Sequence, residues 1–488
     1  MKKRLFAYWT VIWAWVFAIT ACTDNDSFTT NSSARLTFSS DTIDLDTVFS
    51  TVPTSTHTFW VYNNGDDGLR LRTVRLARGN QSGYRVNVDG VYLDNTTGSV
   101  ANDFEIRKGD SLRVFVELTS AMNNADAPQL VEDNLLFNLE SGVEQKVVLR
   151  AYSWDARIVG RMTIAKDSVL SSAKPIIIRE GITIDSAATL TILPPTKLYF
   201  RSGAGIDVYG RLMVSGTAAD DGDVVLRGER TDRMFSYLPY DRVSGQWRGI
   251  RLHASSTGNV IDHADIHSAE YGIQCDSAAY DSTAYRLTLL NSTIHNCKGP
   301  GLVATNSNIA LYNCQLSNTL GDCLSVKGGM ATVVYCTIAQ YYPFSADRGV
   351  ALRFTNFTDN YDVPLRGFVC YNTLITGYSD DEVMGEVKDS TVAYAYYFAN
   401  CIMRTPPVTD STKLAPFSNV LMETPKDSVE GKAHFRLIDE DNLAYDFRLD
   451  SASTAIGRAL PMSALPFDRR GRLRGDKPDI GCFQYEGE

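Results

Sequence analysis

One short pattern that returns at a nearly constant spacing limits what this chain can fold into. Its four copies are Ile261–Ile266, Leu289–Ile294, Leu311–Leu316 and Val333–Ile338. The last residues of the copies are 28, 22 and 22 residues apart. Self-similarity at about this period is typical of stacked repeats, in which each copy forms one coil of a solenoid.

Within each copy apolar and polar residues alternate, so every second side chain is expected to point into the core. Leucine-rich repeats have a similar period, but the Leu-rich consensus they need is missing. Short β-branched strands without helical periodicity favour a parallel β-helix, in which each strand pairs with its counterpart one coil away at roughly 4.8 Å. We therefore predict an all-β fold.

Composition limits the class of partner. The 488 residues carry a formal net charge of -10 with a pI near 5.2. This acidic balance argues against nucleic acid or an anionic lipid surface as the partner. Hydrophobic residues make up 44% of the chain, which is ordinary for a globular protein with an ample core.

The first residues have the features of a targeting signal. Basic Lys2, Lys3 and Arg4 precede a mostly apolar run that ends at Ala21-Cys22. This resembles the lipobox of bacterial lipoproteins, and the resemblance implies cleavage before Cys22 and lipidation of that residue. A plain signal peptide or an uncleaved anchor is the alternative.

The segment after Cys22 predicts location. Asp24 and Asp26 follow directly, and an acidic stretch there is similar to the export signal of Bacteroidetes surface lipoproteins. We expect residues 1–21 to be a signal peptide and residues 22–34 a flexible tether, because the latter are polar and rich in Ser and Thr. The expected location is the outer membrane, lipid-anchored and exposed at the cell surface, with retention facing the periplasm left open.

Residues 35–155 are predicted to form a β-sandwich because seven short strands in about 120 residues is sandwich spacing. The predicted strands are Arg35–Ser39, Thr58–Tyr62, Leu69–Leu76, Tyr84–Val88, Leu112–Leu118, Asn134–Leu139 and Lys146–Tyr152. Phe59–Gly65 followed by Leu69–Leu71 resembles the Hydin-like immunoglobulin-type domains, which implies an immunoglobulin-like sandwich.

Residues 156–488 are assigned to the β-helix and a C-terminal capping tail. The run Gly205–Val214 with Gln246–Leu252 resembles the amino-terminal coils of pectate-lyase-like right-handed β-helices. The segments Asp468–Arg474 and Pro478–Tyr485 resemble the tail of many bacterial β-helix proteins, which implies that they cover the last coil.

Eight cysteines follow Cys22, all in the β-helix segment. Cys314 and Cys336 hold the same repeat position one coil apart. A disulfide is possible in an oxidising compartment, but buried free cysteines acting as small hydrophobes are the simpler interpretation. No Cys-x-x-Cys spacing is present, which argues against a zinc site made of cysteines.

One cluster suggests chemistry. If Ile266 and Ile294 point inward, then His263, Asp265, His267 and His295 point outward, with His267 and His295 stacked. Such a patch could bind a transition metal or act in acid–base catalysis. A solvated strand face explains it more simply, so we predict no catalytic residue, metal or cofactor and keep these residues as candidates.

Two functions compete. The first is a non-catalytic surface lipoprotein that binds or assembles with a protein of the envelope, such as an outer-membrane β-barrel complex. Its predicted partner-binding anchors are the aromatic residues of two insertions: Tyr341, Tyr342, Phe344, Tyr394, Tyr396 and Tyr397. The second is a polysaccharide lyase, glycoside hydrolase or carbohydrate-binding protein, although no pair of carboxylates with forced geometry is visible. An enzyme is the less favoured of the two.

Overall fold

The computed structural model describes residues 27–235, 237–424 and 431–487, and the chain divides into two units between Trp154 and Asp155. The predicted signal peptide and the lipidation site Cys22 lie outside the described residues. No helix in the described ranges is long and apolar enough to span a membrane. Both units are built from strands, so the fold is all-β.

The first unit is a β-sandwich of ten strands. They are β1 (Thr37–Phe38), β2 (Thr42–Phe49), β3 (His57–Tyr62), β4 (Leu69–Leu76), β5 (Tyr84–Val88), β6 (Val91–Tyr92), β7 (Val100–Ile106), β8 (Ser111–Leu118), β9 (Gln129–Leu139) and β10 (Glu144–Trp154). One sheet has the order β1-β3-β8-β5-β6 and the other β2-β10-β9-β4-β7. Their alternating inward side chains form one apolar core.

The turn after β3 shows how polar residues close this sandwich. Asn63 is fully buried, and its Nδ2 donates to the backbone oxygens of Asp67, Ile106 and Arg107. This turn is therefore held against the end of the sandwich by three hydrogen bonds from one buried amide group. Sequence reasoning missed β2 and β7, which complete the second sheet.

The second unit is a parallel β-helix of 26 strands. Its first coils contain β11 (Arg157–Ile164), β12 (Ser168–Leu170), β13 (Ile176–Ile184), β14 (Thr189–Ile192), β15 (Lys197–Phe200), β16 (Ile206–Val208), β17 (Arg211–Ser215), β18 (Val224–Gly228), β21 (Ile250–Leu252), β22 (Asn259–Asp262), β23 (Ala264–His267) and β24 (Ile273–Cys275). A separate hairpin, β19 (Arg233–Phe235) and β20 (Leu238–Pro239), is inserted after β18.

The later coils continue in the same way. They contain β25 (Leu287–Leu290), β26 (Thr293–His295), β27 (Leu302–Tyr312), β28 (Gln315–Ser317), β29 (Leu324–Val334), β30 (Thr337–Gln340), β31 (Leu352–Thr355), β32 (Leu365–Tyr371), β33 (Leu374–Gly377), β34 (Val383–Glu386), β35 (Tyr394–Ala399), β36 (Ile402–Arg404), β37 (Phe417–Ser418) and β38 (Leu421–Glu423). A final hairpin pairs β39 (Phe435–Asp439) with β40 (Ala444–Leu449). Short 3-10 turns lie at Gly79–Gln81, Asn95–Thr97, Tyr240–Arg242, Ser411–Lys413 and Gly431–His434.

The repeat anchors stack as the sequence predicts. Ile266 pairs with Ile294, Ile294 with Leu316, and Leu316 with Ile338 in parallel register. All four side chains are fully buried. The prediction that these four anchors point into the core is therefore confirmed.

One residue with a left-handed backbone conformation lies at the corner before each anchor strand and before the equivalent strands of the later coils. The residues with positive φ there are His263, Asn291, Asn313, Tyr335, Asn372, Asn400 and Asn419. Asparagine adopts this conformation more readily than most residues, which explains its recurrence. The amides also bond along the stack, since Asn313 Nδ2 donates to Asn291 Oδ1 at 3.0 Å.

The C-terminal tail corrects one expectation, because it runs along the side of the coils instead of covering only the last one. The backbone N–H of Cys482 donates to Thr337 Oγ1, and the Arg474 guanidinium donates to Asn313 and lies over the Tyr335 ring. Arg469 reaches Asp223, which directly precedes β18, at 3.0 Å. The tail thus covers the outward face of many coils, since that face carries apolar residues that water would otherwise contact.

The eight cysteines of this unit are free and buried. Cys314 and Cys336 both follow a corner residue, and each thiol lies within 3.5 Å of the carbonyl oxygen two residues earlier. They therefore act as small core residues that satisfy a local carbonyl, as the simpler sequence interpretation predicts.

Candidate functional site

The candidate cluster lies on the outward face of β23 and β26. Asp265 pairs with Thr293, and His267 pairs with His295. The two imidazole rings stack with centroids 4.7 Å apart and planes 24° apart. The strand register alone therefore brings together residues that are 28 positions apart in sequence.

One carboxylate oxygen joins the two imidazoles. Asp265 Oδ1 lies 3.1 Å from His267 Nδ1 and 3.1 Å from His295 Nε2. The side chain of His267 is only 6% exposed, whereas those of Asp265 and His295 are 30% and 25% exposed. The cluster is thus anchored in the protein on one side and open to solvent on the other.

The ionisation of the cluster follows from burial and charge. Burial opposes ionisation of Asp265, but the charges and hydrogen bonds of His267 and His295 outweigh it and hold the pKa of this carboxyl well below its usual range. Burial lowers the pKa of His267, and the charge of Asp265 only partly offsets it. At neutral pH the set is a carboxylate beside at least one neutral imidazole.

Two arginines flank the cluster, and each has its own carboxylate. Arg227 lies 3.9 Å from Asp241, and Arg469 lies 3.0 Å from Asp223. The charge of Asp265 also raises the pKa of Arg469. The cluster and its two flanking ion pairs therefore contain three carboxylates, Asp223, Asp241 and Asp265, and only two guanidinium groups.

His263 does not belong to this cluster. Its φ of 48° places it in the corner before β23 and turns its side chain away from the strand face. Its Nδ1 lies 2.7 Å from Asp262 Oδ1, which also accepts from Asn291 Nδ2. The prediction that His263 points outward beside Asp265 is wrong, because alternation breaks at a left-handed residue.

The prediction of an exposed patch of aromatic anchors is also wrong for two of them. Tyr341 is fully buried among rings of the final hairpin, including Phe435 and Phe447, and Tyr342 is 5% exposed. The hairpin that covers Tyr341 lies about 100 residues later in sequence. Buried side chains at these positions are not free to contact a partner.

The remaining predicted anchors divide between core and surface. Tyr394 and Tyr396 are half-buried and pack on Phe354, with centroids 5.7 and 5.2 Å away. Tyr397 is half-buried near Tyr371, whereas Phe344 is 44% exposed. Most of this set therefore packs on the coils to which it belongs.

Sequence reasoning missed a groove on another face of the β-helix, formed by β27, β29, β31 and β34. Arg353 bridges two carboxylates there, with Nε 2.8 Å from Asp322 and Nη1 2.7 Å from Glu386. The cavity has a volume of about 430 Å³, and its lining also includes Lys327 and Phe357. The only available signal was the alternation in β29 and β31, which places Lys327 and Arg353 outward.

A polar network lies on the same strand column in earlier coils. His253 Nε2 lies 3.0 Å from Asp207 and its Nδ1 3.5 Å from Asp276. The Tyr209 ring stacks on this imidazole, with centroids 4.0 Å apart. Since β16, β21 and β24 pair in register, this network spans three further coils, and Val303 on β27 separates it from Ser325 of the groove.

A third group of polar residues has the residue types of a hydrolase triad, but its side chains are buried. His434 lies 2.9 Å from both Ser453 Oγ and Glu423 Oε2. Ser453 is only 6% exposed, and His434 and Glu423 are more deeply buried. A nucleophile must reach its substrate, so these residues act here as a hydrogen-bonded link between β38 and the tail.

Comparison with known proteins supports the fold. Residues 164–339 match the family model of the right-handed β-helix region. The all-β architecture is thus a right-handed parallel β-helix preceded by a β-sandwich. No curated protein sequence matches the chain.

Solved structures show only distant likeness. A PapD-like domain of human CEP192 is 12% identical over 28% of this chain and 93% of its own, with a TM-score of 0.17. The catalytic unit of a GH87 α-1,3-glucanase from Streptomyces thermodiastaticus is 12% identical over 76% of this chain and 89% of its own, with a TM-score of 0.17. A family 28 exopolygalacturonase from Yersinia enterocolitica is 10% identical over 76% and 84%, with a TM-score of 0.16. These values carry no conclusion about activity.

Proposed function

We propose that this chain is a non-catalytic, lipid-anchored protein of the cell envelope whose β-helix binds an extended acidic glycan in the groove around Arg353. The observation that carries the proposal is a polar groove crossing several coils in which one cation, Lys327, forms no ion pair with the described residues. The lipid anchor and the outer-membrane location rest on the sequence around Cys22.

The groove suits an extended polymer because its polar groups repeat along the coil axis. Neighbouring coils are roughly 4.8 Å apart, and one column is polar on successive coils, with the residues Thr305, Lys327, Thr355 and Glu386 in register. A polymer lying along the axis would meet a new polar position at each coil. Phe357 supplies an apolar ring at the edge, the kind of surface on which a sugar face packs.

Charge selects the kind of glycan. Arg353 is already bonded to Asp322 and Glu386, so its charge is compensated. Lys327 lies on the same strand face, in register with Thr305 and Thr355. The lining has three carboxylates, Asp322, Asp359 and Glu386, against two cations. A carboxylate of the ligand, as in a uronic acid, is therefore expected beside the unpaired ammonium group of Lys327.

The same contacts argue against hydrolysis. A glycosidase needs one carboxyl group that can donate a proton and a second that stays ionised. Of the three carboxylates that line the groove, Asp322 and Glu386 accept hydrogen bonds from one guanidinium group and so have similar electrostatic environments, and Asp359 is exposed to solvent. The arrangement therefore supports binding.

Two of the six aromatic anchors predicted for the protein-assembly function, Tyr341 and Tyr342, are buried and do not support it. An envelope partner that binds elsewhere on the chain is compatible with glycan binding.

The test is calorimetric titration of the full-length chain with oligogalacturonides as the acidic probe and with neutral glucose oligosaccharides. Lys327→Thr places at this position the residue of both neighbouring coils, so the fold should tolerate it. We expect binding of the acidic probe to weaken by about tenfold or more, the usual effect of losing a charged hydrogen bond.

Lys166→Thr, at an exposed position between β11 and β12, is the matched control and should bind like the wild type. Equal binding by Lys327→Thr and the wild type would refute the proposal. Cleavage of either probe by the purified chain would refute the non-catalytic part of it.

A further inference from the structure

We propose that Asp265, His267 and His295 form a binding site for a divalent first-row transition-metal ion such as Zn²⁺. The site lies on β23 and β26, whereas the groove lies on β27, β29, β31 and β34. The inference is therefore independent of glycan binding, and either can fail without the other.

The geometry of the three side chains is close to that of a ligand set. In a tetrahedral zinc site with bonds of about 2.0–2.2 Å, neighbouring ligand atoms are about 3.3–3.6 Å apart. Asp265 Oδ1 is 3.1 Å from one nitrogen of each imidazole, and the ligand atoms of the three residues all lie within 4.8 Å of one another. An ion can replace the protons now held between these atoms with only small side-chain movements.

A second observation concerns His267 alone. It is 5% exposed, and its Nε2 has no hydrogen-bond partner among the described residues. With the proton on Nδ1, Nε2 therefore keeps a buried, unpaired lone pair. With the proton on Nε2, the Nδ1 lone pair faces Asp265 Oδ1 at 3.1 Å, a contact between two acceptors that a bound cation would make favourable. The ion would be held by Nδ1, and Nε2–H would remain without an acceptor.

The donor set indicates the class of ion. Two imidazoles and one carboxylate suit Zn²⁺, Fe²⁺, Co²⁺ and Ni²⁺, whereas Mg²⁺ and Ca²⁺ prefer oxygen ligands. Three protein ligands leave at least one position for water or another ligand. The partial exposure of Asp265 and His295 lets an ion enter from solvent.

The surroundings are compatible with a cation. Arg227 and Arg469 are positive groups that act on the cluster, and Asp241 and Asp223 respectively compensate them. The strand is also fixed in place, because Trp247 Nε1 donates to the His267 carbonyl oxygen at 2.8 Å. The site is thus rigid and keeps the negative charge of Asp265 available.

The test uses the full-length chain, purified in detergent and stripped with a chelator. Zn²⁺ binding is measured by titration calorimetry, and Co²⁺ is used as a spectroscopic probe of nitrogen ligation. We expect one equivalent of either ion to bind, with a visible Co²⁺ absorption band that an excess of Mg²⁺ does not displace.

Two variants replace a ligand by the residue at the same position in the next coil: Asp265→Thr, after Thr293, and His295→Ser, after Ser317. Each should weaken binding by about 100-fold or more, because loss of a direct ligand costs at least as much as loss of its supporting partner. His263→Asn, after Asn291 at the same corner, is the matched histidine control and should bind normally. Circular dichroism shows whether each variant is folded.

The inference is overturned if the wild type binds less than one equivalent of Zn²⁺ and gives no Co²⁺ band. It is also overturned if folded Asp265→Thr and His295→Ser bind like the wild type, or if His263→Asn loses binding to the same extent. Loss confined to the two ligand variants supports it.

Discussion

Replacement of Glu382 by Gln should remove one group's contribution to the pH dependence of the free energy of unfolding. The Glu382 side chain is fully buried, and it accepts hydrogen bonds from the backbone N–H groups of Ser379 at 2.7 Å and Ala351 at 2.9 Å. Burial raises the pKa of this carboxyl to about 7, and the two backbone hydrogen bonds offset the burial only in part. The group is therefore protonated in the folded protein at a pH where an unfolded chain has already lost the proton.

The sign and size follow from this difference. Between pH 4.5 and about 7 the unfolded chain ionises while the folded chain holds its proton, so the free energy of unfolding decreases as pH rises. A shift from 4.5 to about 7 corresponds to a loss of about 3 kcal/mol. For a unit of residues 155–488, with an unfolding entropy of about 2.1 cal/mol/K per residue, that is a change in Tm of about 5 °C.

Glu382→Gln removes this decrease in the free energy of unfolding, because the amide does not ionise. It also removes one of the two oxygen atoms that accept backbone hydrogen bonds. We expect the variant to have a lower Tm than the wild type at pH 4.5 and to gain about 5 °C relative to it by pH 8. Scanning calorimetry at five pH values between these limits measures the difference. Glu180→Gln, at an exposed position, corrects for general effects of replacing a glutamate.

The difference between Glu382→Gln and the wild type is the informative quantity, because other ionising groups contribute equally to both. A Tm difference that does not vary with pH would refute the assignment of a buried, protonated Glu382. A difference that falls with rising pH would mean that the carboxylate is the stabilised form.

Two further predictions test the anchor and the coil register. Cys22→Ala should release the protein from membranes, because acyl chains would be its main hydrophobic attachment after signal cleavage; a mutant that still sediments with membranes in high salt would contradict lipidation. Leu316→Asp should cost several kcal/mol by burying an unpaired charge, whereas Gln315→Asp at the neighbouring outward position should cost roughly 0.5 kcal/mol or less, and equal thermal shifts would contradict the register.

The sequence by itself determined the coils. Alternation between apolar and polar residues is a local property, and a coil stacks on a neighbour only 22 or 28 residues away. Ile266, Ile294, Leu316 and Ile338 therefore align in the structure as they do in the sequence. The same alignment of repeats is enough to predict that His267 stacks on His295, as the two rings do.

The alternation of apolar and polar residues did not predict the direction of a side chain where the backbone leaves the strand. His263 fits the alternation of its neighbours, but it occupies the left-handed corner that Asn291 and Asn313 take in the next coils. A residue at such a corner points to neither face of the strand. The recurrence of asparagine at this position was the available signal, and it predicts the corner only when the coils are aligned.

Only the tertiary structure decided which side chains are free. Tyr341 looks exposed from the sequence because nothing nearby covers it, yet the final hairpin packs on it from about 100 residues away. Arg353 likewise meets Asp322 from one coil and Glu386 from another. Long-range contacts of this kind depend on the path of the chain outside the repeats, where no periodicity constrains it. The groove around Arg353 therefore could not be predicted from the local sequence pattern.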